Sequence, residues 1–422
     1  MLYEIWRKTV REKGNDLALR DLSTGREWTF SDLAAEVEAM PPAEDPVTFA
    51  QGTEARFLLL VLRAWRDGRV VCPLESEQVS PSIERPLPPE IIHLKTTSAT
   101  TGSPRLMTFT ASQLAADCEN IVNTMQLRPD WPNLGVISLA HSYGFSNLVL
   151  PLLLHGIPLF LVGSALPEAL RRGAAGLSDT TLPAVPALWR SWYEASAIPP
   201  NVRIAISAGA PLPLSLEEAV YERFGLKIHN FYGSSECGGI AYDRTEQPRS
   251  EIAYAGLPLK DVDVCIGENG CLEVRSRAVA AGYWPTPAPE LANGVFRTSD
   301  LGQVQTGHVY VRGRVSDQIN IAGRKVSPEG IERVLVLHPA VRDCLVFGVP
   351  AAESERGETI VACVALHAET CATTEELKQY LISYLPAWQV PRKWWIVPSL
   401  QANERGKISR LQLRKEFQDL NP

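Results

Sequence analysis

Nine consecutive residues, Thr97-Ser98-Ala99-Thr100-Thr101-Gly102-Ser103-Pro104-Arg105, concentrate hydroxyls, small side chains and one cation directly after the apolar run of Ile91, Ile92 and Leu94. A turn of this composition leaving a strand can offer hydroxyls and backbone N–H groups to phosphate oxygens. It is not the common P-loop, because no Gly-Lys-Ser/Thr closes it. Alone, it equally describes a polar surface loop. Three further polar clusters give it company: His141-Ser142-Tyr143-Gly144, Ser207-Ala208-Gly209-Ala210-Pro211 and Tyr232-Gly233-Ser234-Ser235-Glu236. They supply hydroxyls, a carboxylate, aromatic rings and side-chain-free backbone.

The elements around these clusters alternate. The runs 135–139, 157–162, 202–207 and 226–231 are short and apolar and read as strands, while 147–154 and 214–224 fit helices. Alternation of this kind predicts βαβ units and a parallel sheet, whose ligands sit beyond the carboxyl ends of the strands. All three clusters fall there. Upstream, Trp28-Thr29-Phe30-Ser31 predicts a strand end with Ser31 as N-cap of a helix, 57–65 an apolar helix, and the proline-rich 81–89 a connection. After residue 255 the strands become shorter and richer in turns, as in a small β subdomain. A last unit from about 316 onward carries helices near 328–337 and 374–384 and strands near 343–349 and 360–366. The expected class is α/β: a large N-terminal domain of parallel-type βαβ sheets with a small β subdomain, then a small mobile α+β C-terminal domain. The boundary is expected between 1–314 and 315–422.

At 422 residues, 45% hydrophobic and 21% charged, the chain has the composition of a globular protein with a large core. A net charge of -7 gives no nucleic-acid footprint. The longest apolar run, 148–163, is broken by Pro151, His155, Gly156 and Pro158 and is shorter than the ~20 residues of a spanning helix. Eight scattered cysteines form no Cys-x-x-Cys pair, and no signal peptide precedes the first charged segment. A reduced, cytoplasmic protein without nucleic-acid partner or membrane span is expected.

Five boxes in order now carry a resemblance. The Thr-Ser-x-Thr-Thr-Gly-x-Pro loop is followed by Tyr232-Gly233-Ser234-Ser235-Glu236 and by Thr298-Ser299-Asp300. Gly313-Arg314 then leads through Gly323 to Pro328-x-x-Ile331-Glu332, and Gly406-Lys407-Ile408-Ser409-Arg410 comes last. In this the chain resembles the AMP-forming acyl- and aryl-acid ligases of the adenylate-forming superfamily: acyl-CoA synthetases, carrier-protein adenylation domains and luciferase. The resemblance implies ATP and Mg²⁺ as cofactors, a carboxylic acid as substrate, and the thiol of CoA or of a phosphopantetheinyl carrier protein as acceptor.

The chemistry accounts for the residue types. A carboxylate must attack the α-phosphorus of ATP, and because both partners are anions the site must supply positive charge and geometry. The family pattern assigns the phosphates to Thr97, Ser98, Thr100, Thr101, Gly102 and Arg105, with Gly233 and Ser235 beside the nucleotide. Tyr232 stacks on adenine along the backbone strip Gly209-Ala210, Asp300 takes the ribose hydroxyls, and Arg314 adds a ribose or phosphate contact. Glu236 is the expected Mg²⁺ ligand. Lys407 is the expected bridge between acid carboxylate and α-phosphate, a role suited to a point charge on a flexible stem. Gly323 is expected to line the thiol tunnel after rotation at a hinge, Ser316. Ala99, Arg105, Ser299, Ser316 and Asn320 depart from the family pattern, and the N-terminal portion is short for it.

His141, Ser142 and Tyr143 occupy the substrate-side box, with Ser207 and Gly238 as pocket floor and His141 counted with the catalytic groups. No carboxylate stands at Ser142 to pair an α-ammonium, so an aryl or hydroxyaryl acid is favoured over an amino acid. A medium-chain fatty acid ligase, a luciferase-like oxygenase and a degenerate nucleotide-binding module stay open. So does the choice between CoA and carrier protein.

Overall fold

A computed structural model describes residues 1–83, 85–96, 105–321, 323–351, 357–368, 370–400 and 409–420. They divide into two units, the first comprising Met1–Cys265, Glu273–Arg297 and Val304–Val309, the second Ile266–Leu272, Thr298–Gln303 and Tyr310–Pro422.

The first unit holds two sheets. Its strands are β1 (Leu17–Asp21), β2 (Glu27–Thr29), β3 (Val47–Gln51), β4 (Val70–Leu74), β5 (Ile91–Thr96), β6 (Leu106–Thr110), β7 (Asn133–Gly135), β8 (Leu159–Leu161), β9 (Thr180–Ala184), β10 (Val202–Ser207), β11 (Ile228–Ser234), β12 (Gly238–Tyr242) and β13 (Tyr254–Pro258). One sheet contains the run β13-β12-β11-β10-β9-β7-β8-β1-β2 and continues beyond β13 through His308–Arg314, Val295–Gln305, Cys271–Ser276 and Val262–Ile266. From β1 to β11 its pairings are parallel, as the alternation predicts, while β2, β12 and β13 are antiparallel. The other sheet runs β3-β4-β5-β6 and is completed by Gly282–Trp284 on β6. The N-terminal segment therefore contributes strands to both sheets.

Local signals explain most elements. The helix Phe30–Ala39 starts at Thr29, whose side chain accepts from the Asp32 N–H while the Asp32 carboxylate receives the Thr29 N–H. This reciprocal cap is worth about 1 kcal/mol. It replaces the expected cap at Ser31, because Asp32 stands three residues after Thr29. The helix Ala111–Met125 starts with the same device between Thr110 and Gln113. The strand expected at 135–139 is β7, at 133–135, two residues earlier. Beyond it the chain turns away toward the helix Ser142–Gly144, where Gly144 lies so close to the Ser138 carbonyl that a Cβ would sit 1.9 Å from that oxygen.

The helix expected at 147–154 is a π-turn over Phe145–Val149 followed by an α-helix over Leu150–His155. The core beneath β9 and β10 centres on Trp189 and Trp192, packed edge to face at 5.3 Å. Each buried indole N–H is satisfied, Trp189 by the Ile206 carbonyl and Trp192 by that of Ala165.

The second unit is built on strands Val341–Pro350, Glu358–Leu366 and Lys393–Val397, the first pair antiparallel and the second parallel. Helices Pro328–Leu335 and Thr374–Ile382 accompany one core that includes Ile331, Val346, Leu377 and Leu381. The helix Arg410–Leu420 seals another through Leu413 and Phe417 against Phe347 and Val361. Among the described residues, no helix is long and apolar enough to cross a membrane. All eight cysteines are free thiols.

Candidate active site

Strand ends of the first unit assemble the cluster expected on the acid side. His141 precedes the short helix that begins at Ser142, and its Nε2 lies 2.9 Å from Glu75 Oε1, just beyond β4. Glu75 also accepts from Ser138 Oγ at 2.9 Å. The Tyr143 hydroxyl is turned inward, 3.4 Å from the carbonyls of both Ala184 and Ile206, and burial pushes its pKa up. Tyr143 thus anchors the helix to the ends of β9 and β10, while its ring faces Phe231 at 6.0 Å. Ser207, at the end of β10, is fully buried and its Oγ finds no protein partner among the described residues.

Gly238 has a positive φ of 70°, and a Cβ there would meet the Asp117 carboxylate at 1.9 Å. Asp117 in turn receives Ser146 Oγ at 2.5 Å and the Gly239 N–H at 3.0 Å. The glycine pair is therefore moulded around a buried carboxylate, and only a residue without a side chain fits.

The residues expected at the nucleotide lie on β11 and the turn after it. Tyr232 and Gly233 lie inside β11 rather than beyond it, because the strand runs to Ser234 and pairs with Gly238 of β12. Ser235 and Glu236 follow in the turn between the two strands. Glu236 Oε1 accepts from the Tyr283 hydroxyl at 3.1 Å, and its carbonyl accepts from the Ala280 N–H. Burial and the neighbouring carboxylate raise the Tyr283 pKa, so the phenol remains a donor. The Arg105 guanidinium stacks 3.6 Å above the Tyr283 ring and lies 3.4 Å from Glu290. Arg105, Tyr283 and Glu236 thus form one chain of contacts across β6 and its partner strand.

Among the described residues no three His, Cys, Asp or Glu side chains gather as a closed metal cage. A half-buried, singly hydrogen-bonded Glu236 suits an ion that takes one protein carboxylate and fills its remaining positions with water and phosphate oxygens. That ion is Mg²⁺.

Gly209 follows β10 with a positive φ of 87°, and Ala210 continues the exposed strip. The strip ends at Leu212, whose carbonyl receives Arg249 Nη2 at 2.8 Å. Arg249 belongs to a buried network in which Glu217 binds both Arg249 (Nε, 2.8 Å) and Lys227, and Lys227 also binds Asp243 at 2.7 Å. Two cations meet two carboxylates, and the network pins the helix Leu214–Phe224 to the strands that carry Tyr232 and Gly238.

In the second unit Asp300 is 8% exposed; it receives Arg314 Nε at 2.9 Å, and its own N–H donates to Thr298 Oγ1. The two residues expected at the ribose therefore hold each other. Ser316 lies in a short turn and donates to Asp317 Oδ1 at 3.1 Å. Gly323, with a φ of 84°, has its N–H on Asn320 Oδ1, and a Cβ there would meet nothing within 4 Å.

Arg410 is the hub of this unit. Its guanidinium contacts Asp317, Glu329 at 2.9 Å, Glu332 at 2.8 and 3.1 Å, and the Val346 carbonyl at 2.9 Å. Thr97, Ser98, Thr100, Thr101, Gly102 and Lys407 lie outside the described residues.

Tyr283, Glu75, Lys95 and Asp117 are missing from the residues the sequence singles out. Tyr283 reaches the site through strand pairing at a separation of 47 residues from Glu236. Asp117 lies mid-helix without a motif. The one legible signal is a lysine inside the apolar strand Ile91–Thr96.

The first unit thus carries the Glu236 turn, and the second the Asp300–Arg314 pair. The AMP-binding enzyme family matches residues 46–284 and the AMP-binding enzyme C-terminal domain matches 330–407. The first match spans more than half of the chain, which belongs to the AMP-binding enzyme family of the adenylate-forming superfamily. It is 29% identical over 344 residues to a probable 2-succinylbenzoate–CoA ligase of Mycobacterium tuberculosis (strain ATCC 25618 / H37Rv), covering 76% of this chain and 83% of that protein. Its fold is similar to ATP-bound MatB from Rhodopseudomonas palustris, with a TM-score of 0.85 at 20% identity over 100% of both chains. It is also similar to o-succinylbenzoate CoA synthetase (MenE) from Bacillus subtilis in complex with the acyl-adenylate intermediate OSB-AMP, with a TM-score of 0.82 at 21% identity over 97% of both.

Proposed function

We propose that the protein activates a carboxylic acid, with aryl or hydroxyaryl acids favoured, and passes it to the thiol of CoA or of a phosphopantetheinyl carrier protein. An oxygen of the acid carboxylate attacks the α-phosphorus of ATP, and the bond to the bridging oxygen breaks with loss of pyrophosphate. The thiolate then attacks the acyl carbon, and the pair of electrons of the cleaved C–O bond leaves with AMP. The observation that carries this reading is the gathering of the boxes at strand ends of the first unit: the Tyr143 hydroxyl reaches the ends of β9 and β10, Ser207 closes β10, and the Glu236 turn joins β11 to β12 at Gly238. In this reading it is an acid pocket beside a triphosphate site.

In this reading His141, held beside Glu75, and Ser142 face the acid. Glu236 takes Mg²⁺, which when bound neutralises phosphate charge. Arg105, fixed on Tyr283, faces the phosphates. Residues 1–314 bind ATP and acid, and residues 315–422 supply Lys407 for adenylation, Ser316 as hinge and Gly323 for thiol entry.

Acid-dependent ATP–pyrophosphate exchange over benzoic, hydroxybenzoic and cinnamic acids and short to medium fatty acids tests the proposal. Exchange with aromatic members is the expected result, and ATP binding without exchange for any acid refutes it. Lys407→Ala is expected to abolish exchange but spare thiol transfer from a preformed acyl-adenylate. Equal loss of both halves would remove Lys407 from its assigned role.

A further inference from the structure

Strand β5 carries an unusual pair of residues. His93 and Lys95, two apart, share one face of the strand, and both are buried. Lys95 is 5% exposed, and its Nζ has no hydrogen-bond partner among the described residues. The amine lies 4.6 Å from the centroid of the Phe109 ring. Burial lowers the lysine pKa, opposed by the fields of Asp117, Cys237 and Glu236. Asp117 is already engaged by Ser146 and Gly239. An amine desolvated without an acceptor is unfavourable by a few kcal/mol. A methionine of similar length would fill the same volume without that penalty.

Lys95 also lines a small cavity, together with Glu75, Gln78, Thr96, His141 and Ser142. Its wall is polar. Glu75, the carboxylate in that wall, is engaged by Ser138 and lies beside His141. A flexible four-carbon stem allows the ammonium to turn from the Phe109 ring to a ligand in the cavity. An anion placed there would supply the missing acceptor in a low-dielectric surrounding, where a charge-assisted hydrogen bond is strong.

We propose that Lys95 is a specificity-determining residue of the acid pocket, and that its ammonium pairs with a second anionic group, a carboxylate or sulfonate, on an acid whose other carboxylate is activated. The inference rests on the ligase reading above. An acid oxyanion is preferred to an ATP phosphate because the cavity is shared with His141 and Ser142, the residues assigned to the acid. A mono-acid leaves the amine without its acceptor, so it is discriminated against by roughly 10–100-fold.

The test compares terephthalate with toluate, and glutarate with butyrate, by pyrophosphate exchange in the parent, Lys95→Met and Lys95→Arg. Expected is a preference for the diacids of roughly 10–100-fold in kcat/KM in the parent. Lys95→Met should erase it, leaving KM for ATP within about twofold. Lys95→Arg should retain part of it, and Lys95→Met should melt no lower than the parent. A diacid to mono-acid ratio unchanged in Lys95→Met, or a parent that prefers mono-acids, overturns the inference. So does an effect confined to KM for ATP, which would put the amine on a phosphate. Exchange with none of the four acids, nor with the panel above, would instead refute the ligase reading and the inference with it.

Discussion

Each unit is tied together by a knot of charge, buried in the first unit and half-buried in the second, and the two knots are built differently. In the first unit Lys227 and Arg249 meet Glu217 and Asp243, two cations against two carboxylates. In the second, Arg410 alone faces Asp317, Glu329 and Glu332. Removing Arg249 or Asp243 from the balanced network breaks one of its three ion pairs and leaves two. The unbalanced one depends on a single guanidinium: the three carboxylates hold Arg410 charged against the pull of burial, and burial pushes Glu332 up despite Arg410 beside it. The balanced knot ties the helix Leu214–Phe224 to the strands that carry Tyr232 and Gly238. The unbalanced one fixes the start of the helix that follows Lys407 by three residues and grips Asp317 next to Ser316. The two units are thus secured by different electrostatics.

Removing the hub should separate the two most strongly. Arg410→Met leaves three clustered carboxylates without a cation and should destabilise the second unit by about 3–5 kcal/mol, read by denaturant melts. Arg410→Lys should not restore it, since an ammonium cannot span three carboxylates and a carbonyl. Arg249→Met is the matched cut in the first unit. Because Lys227 still pairs Glu217, the loss there should be smaller, about 2–3 kcal/mol. Equal losses in the two variants would abolish the distinction.

Acidification should also divide the units. Burial, reinforced by Lys95, holds His93 well below the ordinary histidine value of 6.5. A folded-state pKa below the unfolded one gives stability that is present above pH 6.5 and is lost as pH falls. Glu332 has the opposite sign: raised above 4.5, it contributes stability below that pH and loses it as pH rises through the raised value. From about pH 7 to 5.5 the first unit should therefore weaken, by at most about 1.4 kcal/mol per pH unit for each such histidine, while the second does not. Hydrogen exchange against pH reads the two separately. His93→Phe should flatten the slope of the first unit, and an unchanged slope would show that other groups set it. The smallest effect is expected at the helix cap, where Thr29→Ala should cost about 1 kcal/mol and leave the second unit untouched.

Much of the fold was legible because parallel βαβ units announce themselves by alternating apolar runs, and these were displaced in the structure by a few residues at most. The displacements have local causes. Thr29 caps its helix because Asp32 completes the pair, and β11 extends through Tyr232 because Gly233 and Gly238 allow two backbones to approach closely. Box residues were legible too, since each stands in a short contiguous motif. Contacts across long sequence separations were not. Nothing near Tyr143 indicates that its hydroxyl reaches the carbonyls of Ala184 and Ile206, 41 and 63 residues away. Nothing near Glu236 points to Tyr283.

By itself the sequence determined the class of fold, the order of the boxes and the family chemistry, because those reside in local periodicity and contiguous residue types. Only the tertiary structure decided which groups share a cavity and which charges are already paired. It put Asp300 on Arg314, Arg410 on three carboxylates, and Lys95, without an acceptor among the described residues, in one cavity with His141 and Ser142. Burial sets the cost of a charge and the partner sets its use, and neither exists until distant segments pack together.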